Sequence, residues 1–150
     1  MLLFLLPTAI FSHCELPCGI YSDKMRIEML KEHITTIEKS MKMIKELESA
    51  SSINYNQLVR WVNNKDEHAN EFQKIISQYF MTQRIKLADP SDNNAVREYH
   101  IQLELLHQML VYAMKTKQAV NLDTCEKLRS LIDNFYSVYF SEEEKHHQHK

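Results

Sequence analysis

Three residues near the start of the chain, His13, Cys14 and Cys18, have the types and the spacing of a metal site. If the mature chain begins at His13, this residue supplies a primary amine and an imidazole. Cys14 then supplies a thiolate and a backbone amide that can lose its proton, and Cys18 supplies a second thiolate. Two nitrogens and two sulfurs in one plane suit Ni(II) or Cu(II), whereas tetrahedral sulfur sites favour zinc or iron–sulfur clusters. These residues therefore predict a planar nickel or copper site, with an imidazole available above the plane.

The residues around the two cysteines shape this segment. Pro17 restricts the backbone between the cysteines, and Gly19, the only glycine of the chain, allows backbone angles that other residues resist. The same spacing has a second interpretation, in which Cys14 and Cys18 form a disulfide across a small loop and His13 is an ordinary loop histidine. The residue types alone leave both interpretations open.

Residues 1–12 are almost entirely apolar and contain no charged side chain. They are too few to cross a bilayer as a helix, which needs about 20 apolar residues. They are similar to the apolar core of a signal peptide, without its usual basic start. We expect a leader that is removed after Ser12, which frees the amine of His13, and no stable membrane insertion. An exported or organellar protein follows from this interpretation, with a cytoplasmic location as the alternative.

The rest of the chain must hold such a site in place, and its pattern is that of a helical protein. Apolar residues recur at intervals of three and four in four segments, and polar runs separate these segments. Pro90 interrupts the chain after the second segment, and Ser22 or Asp23 can cap the first. The apolar positions are Ile27, Leu30, Ile34, Ile37, Met41, Ile44 and Leu47, then Leu58, Val62, Ala69, Phe72, Ile76 and Tyr79, then Val96, Tyr99, Leu103, Leu106, Leu110 and Ala113, and last Leu128, Leu131, Phe135 and Val138.

This pattern predicts an all-α fold, an antiparallel four-helix bundle over residues 22–141. Residues 13–21 form an N-terminal metal-binding hook before it, and residues 142–150 form a polar tail that contains histidines. A single glycine leaves no material for glycine-rich phosphate loops, which excludes most nucleotide-binding motifs. The net charge of −2 gives no argument for nucleic-acid binding.

The sequence of the hook, HCELPCGIY, resembles the signature H-C-x-x-P-C-G-x-Y of nickel superoxide dismutases at every fixed position. Weaker similarity extends over most of residues 13–140, for example in Arg26-Ile27-Glu28 and Tyr79-Phe80. The resemblance implies an enzyme that disproportionates superoxide to oxygen and hydrogen peroxide with one nickel ion per subunit, which cycles between Ni2+ and Ni3+. It also implies a hexamer of four-helix bundles, a leader protease and a nickel chaperone.

The resemblance implies roles for individual residues of the hook. His13 provides the amine and the axial imidazole, Cys14 provides its amide and thiolate, and Cys18 provides the second thiolate. Tyr21 stands near the open face of the metal and helps to exclude bulky anions. His13 and Tyr21 are therefore the expected catalytic residues.

Further residues are implied around the ligands, and two of them depart from the family. Glu28 is expected to hydrogen-bond the His13 imidazole and Tyr79 to line the substrate pocket. His68 stands where the family has an arginine in contact with the glutamate, and Met81 stands where it has a lysine that draws in the anion. Both changes put the efficiency of this chain in question.

Two other functions stay open from the sequence. The chain could be an exported helical-bundle interaction protein with a Cys14–Cys18 disulfide, or a nickel-binding homologue with degenerate activity. Among the remaining candidates, Cys125 is expected in the core. His33 and His100 lack the Glu-x-x-His pattern of di-iron bundles.

Overall fold

The structure, a computed structural model, describes the backbone of residues 22–147 and the side chains of residues 22–140. Within that range it contains four α-helices, one π-helical segment and no strand. The elements are α1 (Asp23–Glu48), α2 (Tyr55–Lys74), π1 (Ile75–Arg84), α3 (Asn93–Gln118) and α4 (Asp123–His147). The prediction of an all-α four-helix fold is confirmed.

Contacts between helix ends show that neighbouring helices run antiparallel. Asp23 at the start of α1 accepts a hydrogen bond from Tyr139, near the end of α4. The buried ammonium of Lys65, in the first half of the continuous stretch formed by α2 and π1, donates to the carbonyl oxygens of Thr116 at 2.6 Å and Lys117 at 3.1 Å, at the end of α3. None of the helices in the described range is long and apolar enough to cross a membrane.

Polar side chains cap three of the helix starts. The Ser22 hydroxyl accepts a hydrogen bond from the backbone N–H of Met25 at 3.3 Å, so Ser22 is the cap of α1. Asn54 caps α2 in the same way, and the carboxylate of Asp92 caps α3 after the break at Pro90. These bonds satisfy N–H groups that have no partner within the helix. The start of α1 is therefore fixed directly after Tyr21.

The second predicted helix changes its hydrogen bonding at Ile75. In π1 the backbone bonds span five residues, as in the bond from the Ile85 N–H to the Phe80 carbonyl at 2.9 Å. Side chains repeat this spacing, since the Thr82 hydroxyl donates to the Ser77 carbonyl at 2.7 Å. A π-helix places residues five apart on one side, and such segments are rare and frequently lie at functional sites. The 3.6-residue pattern of the sequence did not predict it.

The core lies where the apolar pattern placed it in α1, from Ala69 of α2 to Tyr79 of π1, and at Leu128, Leu131 and Phe135 of α4. The agreement is poorer in α3 and in the first half of α2. Six of the predicted α1 positions are at most 1% exposed, from Ile27 to Ile44. Val62 was a wrong prediction, because its side chain is 36% exposed. In α3, Met109 is fully buried although the predicted Tyr99 is only half-buried. Leu106 and Ala113 are fully buried as predicted, whereas the predicted Leu110 is only partly buried.

Helix α4 continues to His147, past the boundary predicted at residue 141. Its last part, Glu142 to Lys145, consists of residues with high helix propensity and no breaker. The predicted polar tail is thus partly helical, up to His147.

Candidate metal centre and the end of the bundle that adjoins it

The expected nickel ligands His13, Cys14 and Cys18, together with Tyr21 and the leader, lie outside the described residues. Among the described side chains, those of residues 22–140, no group of three or more histidines, cysteines, aspartates or glutamates could hold a metal ion. The donor set of the hook nevertheless fits nickel, because an amine, an amide and two thiolates make a planar nitrogen and sulfur site. What the structure describes is the end of the bundle that the hook joins.

A buried carboxylate marks this end of the bundle. Asp23 is 7% exposed and lies in the first turn of α1. It accepts hydrogen bonds from the Tyr79 hydroxyl, from the Tyr139 hydroxyl at 2.6 Å, and from Arg84 through Nη2 at 2.6 Å and Nε at 3.0 Å. We call Asp23, Tyr79, Arg84 and Tyr139 the Asp23 cluster. It ties the start of α1 to π1 and to α4.

The geometry of π1 explains why two of these side chains reach one carboxylate. Tyr79 and Arg84 are five residues apart, so they lie on the same side of the π-helix. In an α-helix the same two residues would lie on different sides, since five residues exceed one turn by a large angle. The π-helical segment is thus what brings Tyr79 and Arg84 together at Asp23.

The Asp23 cluster holds fixed protonation states near neutral pH. Burial opposes the charge of Asp23, but the hydrogen bonds from Tyr139, Tyr79 and Arg84 outweigh it and lower the pKa of this carboxyl. Burial, and then the bond to Asp23, raise the pKa of Tyr79 to about 12. Burial and Asp23 also raise the pKa of Tyr139. The carboxylate is therefore ionised and both phenols remain donors.

Asp23→Asn tests this arrangement through the pH dependence of stability. The folded-state pKa of Asp23 lies below the ordinary value of 3.8, so the folded state binds fewer protons than the unfolded state in that range. The stabilisation is present above pH 3.8 and is lost as the pH falls through the lower folded-state pKa. We expect Asp23→Asn to cost about 1–3 kcal/mol at pH 7, the cost of weakening buried hydrogen bonds, and much less at acidic pH.

Urea unfolding at a series of pH values measures this difference. Glu28→Gln is the control, because it removes an exposed carboxylate near the same end and should change stability by less than about 0.5 kcal/mol. An Asp23→Asn penalty that stays constant down to acidic pH would show that the carboxylate charge does not stabilise the fold.

Arg26, the first residue of the Arg-Ile-Glu sequence that resembles the family, packs into this end. Its guanidinium lies over the ring of Tyr79, 4.9 Å from the ring centroid. Its Nη1 donates to the sulfur of Met29 at 3.7 Å, and the side chain is 8% exposed. A buried guanidinium over a tyrosine ring is a favourable cation–π contact. Arg26 therefore helps to fix the position of Tyr79.

Glu28 and His68, which the resemblance expects in contact, have different partners in this chain. The carboxylate of Glu28 is 66% exposed and forms an ion pair with Lys31 at 3.1 Å. The Nδ1 atom of His68 lies 2.9 Å from Nδ1 of His33 on α1. The expected contact between Glu28 and His68 is not formed in the described structure, because His33 occupies the place beside His68. The role of Glu28 toward His13 stays a prediction.

The side chains of Tyr79 and Met81 both pack inside the bundle. The hydroxyl of Tyr79 donates to Asp23, and its ring is 5% exposed. Met81 is partly buried against the core. The nearest cation in sequence is Arg84, which is 39% exposed and paired with Asp23. The site that the family fills with lysine is thus apolar here.

Sequence reasoning missed Arg84 and Tyr139, and it treated Asp23 only as a helix cap. These residues are far apart in sequence, with 116 positions between Asp23 and Tyr139. The one local signal was the spacing of five between Tyr79 and Arg84, which places both on one side only in a π-helix.

Cys125 is the free cysteine of the described residues, and it lies in the core. It is 1% exposed, and burial raises the pKa of its thiol to about 11. Its sulfur lies 3.9 Å from the sulfur of Met41. A protonated, inaccessible thiol cannot serve as a metal ligand at neutral pH. The prediction that Cys125 is a core residue is confirmed.

The chain was also compared with known proteins. A family model described as nickel-containing superoxide dismutase matches residues 8–143. The match covers most of the chain, including the hook and nearly all of the four helices. Searches of the curated proteins and of the solved structures gave no match.

Proposed function

Because the chain belongs to the family of nickel-containing superoxide dismutases, we propose that His13, Cys14 and Cys18 hold its catalytic nickel ion. The enzyme is a nickel-dependent oxidoreductase that acts on superoxide. The observation that carries the assignment of the ligands is the family match over residues 8–143, which contains an HCELPCGIY segment with every fixed position of the hook intact.

A nickel ion held by these residues would supply the one-electron couple needed to convert two superoxide ions and two protons into oxygen and hydrogen peroxide. The residues of the hook make that couple accessible. The thiolates of Cys14 and Cys18 and the deprotonated amide of Cys14 donate strongly, which stabilises the higher oxidation state of the metal. The imidazole of His13 would be a further nitrogen donor to the ion.

Other residues of the hook region act on the substrate and on the imidazole. Tyr21 narrows the approach to the open face and excludes anions larger than superoxide. Glu28, exposed in the second turn of α1, accepts a hydrogen bond from the imidazole of His13, which orients the ring and raises its basicity. Support for this role comes from the exposure of Glu28 and from its weak surface ion pair, which it can leave at little cost.

The Asp23 cluster is the support of the hook in this proposal. It fixes the first turn of α1 by four hydrogen bonds to Asp23, two residues after Tyr21. Because the hook is attached to a rigid helix start, it loses less conformational entropy when it binds the metal and the substrate. The role of Tyr79 is therefore to hold this support through its hydroxyl, in addition to lining the pocket.

Assembly and maturation are also part of the proposal. Exposed apolar side chains at Tyr55, Val59 and Val62 follow one side of α2 at spacings of four and three, which suits a contact between subunits of a hexamer. A protease removes residues 1–12, and a nickel chaperone delivers the metal. The apolar leader favours an exported or organellar location.

Loading the mature chain with different metals tests the proposed function. The chain that begins at His13 should disproportionate superoxide after loading with Ni2+ and not after loading with Zn2+, because zinc has no redox couple. Superoxide decay in a stopped-flow spectrophotometer measures the rate, and metal analysis measures the loading. Equal rates for the nickel, zinc and metal-free proteins would contradict a nickel enzyme.

A further inference from the structure

A pair of histidines joins α1 to α2 through a hydrogen bond between the two rings. Nδ1 of His33 lies 2.9 Å from Nδ1 of His68. The ring centroids are 5.1 Å apart, and the ring planes are tilted by 56°. His33 lies ten residues after Asp23, about 15 Å along the axis of α1, so the pair is separate from the end of the bundle that the hook joins. Both side chains are half-buried, so protons can exchange between the rings and water.

A hydrogen bond between two imidazole nitrogens contains one proton, and this limits the charge states in which it can form. One Nδ1 atom must carry a hydrogen, and the other must present a lone pair. The bond therefore forms when both rings are neutral or when only one ring is charged. When both rings are protonated, both Nδ1 atoms are donors, so the bond is lost and two positive charges face each other. Acid thus replaces an attraction between α1 and α2 by a repulsion.

The surroundings of the pair favour the hydrogen-bonded state at neutral pH. Burial, and then the charge of His68, lower the pKa of His33 below its ordinary value of 6.5. The negative charges of Glu71 on α2 and Glu32 on α1 act in the opposite direction and offset this effect only in part. His33 is therefore a neutral imidazole at pH 7, and it takes up a proton only in acid.

Cations from the other two helices that reach α1 and α2 are bonded to other side chains. Arg129 of α4 reaches α1, where it donates to Glu38 at 2.8 Å. Lys117 of α3 reaches α2, where it donates to Asn70 and to Gln73 at 2.8 Å. The charge at the histidine pair is therefore governed by its own protons and by the two glutamates beside it.

A second polar contact between α1 and α2 does not titrate. The amide of Asn64 on α2 donates to the hydroxyl of Ser40 on α1 at 2.9 Å. Neither side chain changes its charge between acidic and neutral pH. The Ser40–Asn64 contact therefore holds the two helices together regardless of pH, whereas the contact between the histidines depends on it.

We propose that His33 and His68 form an acid-sensitive link between α1 and α2, which forms at neutral pH and breaks when both rings carry a proton. The folded state binds fewer protons than the unfolded state below pH 6.5, because His33 resists protonation in the fold. The stabilisation is therefore fully present above pH 6.5 and is lost as the pH falls through the lower folded-state pKa of His33. The link is separate from the hook and does not depend on the proposed dismutase activity.

A double-mutant cycle on the full chain, measured at two pH values, tests the link. Urea unfolding is compared for the unchanged chain, His33→Ala, His68→Ala and the variant with both substitutions. At about pH 8 we expect the coupling between the two histidines to lower the unfolding equilibrium constant about two- to tenfold, the usual range for one hydrogen bond. At about pH 5 the coupling should vanish or change sign, because two imidazolium rings repel each other.

Ser40→Ala and Asn64→Ala provide the matched cycle, because they remove a hydrogen bond between the same two helices that contains no titrating group. Their coupling should be the same at both pH values. Nitrogen NMR gives a direct measurement, since the bond should produce a scalar coupling between the Nδ1 atoms of His33 and His68 at about pH 8 that is absent at about pH 5.

The acid-sensitive link is overturned if the two histidines show no coupling in the cycle at about pH 8, or if their coupling is the same at both pH values. Circular dichroism checks that each variant keeps its helices. The cycle measures unfolding and leaves the hook unchanged, so its result is independent of superoxide dismutation.

Discussion

We expect Cys14→Ser and Cys18→Ser each to abolish nickel binding and superoxide dismutation and to leave the helical content unchanged. A serine hydroxyl does not ionise at neutral pH, so each substitution removes one of the two thiolates that the planar site requires. The helices should keep their content because the apolar core, as the described part of the chain forms it, is built from residues from Ile27 onward. Metal analysis, stopped-flow kinetics and circular dichroism measure the three quantities.

Cys125→Ser is the matched control for these variants. It changes the same residue type in the core, where the thiol is buried and protonated, so activity per bound nickel should be unaffected. Burying a hydroxyl in place of the thiol should lower stability by about 1–3 kcal/mol. Full activity in Cys14→Ser or Cys18→Ser would mean that the nickel ligands lie elsewhere in the chain.

The fold was predictable from sequence where one apolar stripe is wide and regular. The α1 positions from Ile27 to Ile44 recur at three and four and are buried as predicted. Val62 also belongs to a series of apolar residues at intervals of three and four, but it is exposed. The spacing within one helix does not show where the helices that pack against it end. In α3 the predicted Leu106 and Ala113 are buried, and Met109 is buried more fully than the predicted Leu110.

The π-helical segment could not be predicted, because its cause is not local. Bonds that span five residues are poorer than α-helical ones for most sequences, so a π-helix needs support from tertiary contacts. In this chain Tyr79 and Arg84 both bond to Asp23 only because π1 places them on one side. The residue that stabilises this geometry is Asp23, at the start of α1. It is too far from π1 in the sequence for a local pattern to include it.

The candidate metal site, like the fold, could be predicted from the sequence only in part. The donor types of the hook are close together in the sequence, so His13, Cys14 and Cys18 could be recognised as candidate ligands, although the residue types alone also allowed a Cys14–Cys18 disulfide. The contact of His68 could not be predicted from the sequence. The resemblance suggested Glu28 as its partner, but in the structure His68 is paired with His33. A substitution of arginine by histidine shortens the side chain, and a shorter side chain finds a different neighbour.

The largest effect after loss of a thiolate should come from the N-terminal residue itself. We expect the native protein to lack residues 1–12, and a chain that retains even Ser12 to lose nearly all nickel-dependent activity. With Ser12 attached, the nitrogen of His13 is an amide rather than an amine, so one neutral donor of the planar site is lost. Intact-mass measurement of the native protein and kinetics of both chains, loaded with Ni2+, test these expectations.

The chain that begins at His13 and carries Leu16→Ile is the control, because the hook signature leaves position 16 open and the four donors remain. It should keep the activity of the mature chain, whereas the Ser12 chain should not regain activity at any nickel concentration, since excess metal cannot turn an amide into an amine. A Ser12 chain that binds nickel and disproportionates superoxide at the rate of the mature chain would exclude the amine as a ligand, and the nickel would then need a donor set without the N-terminus.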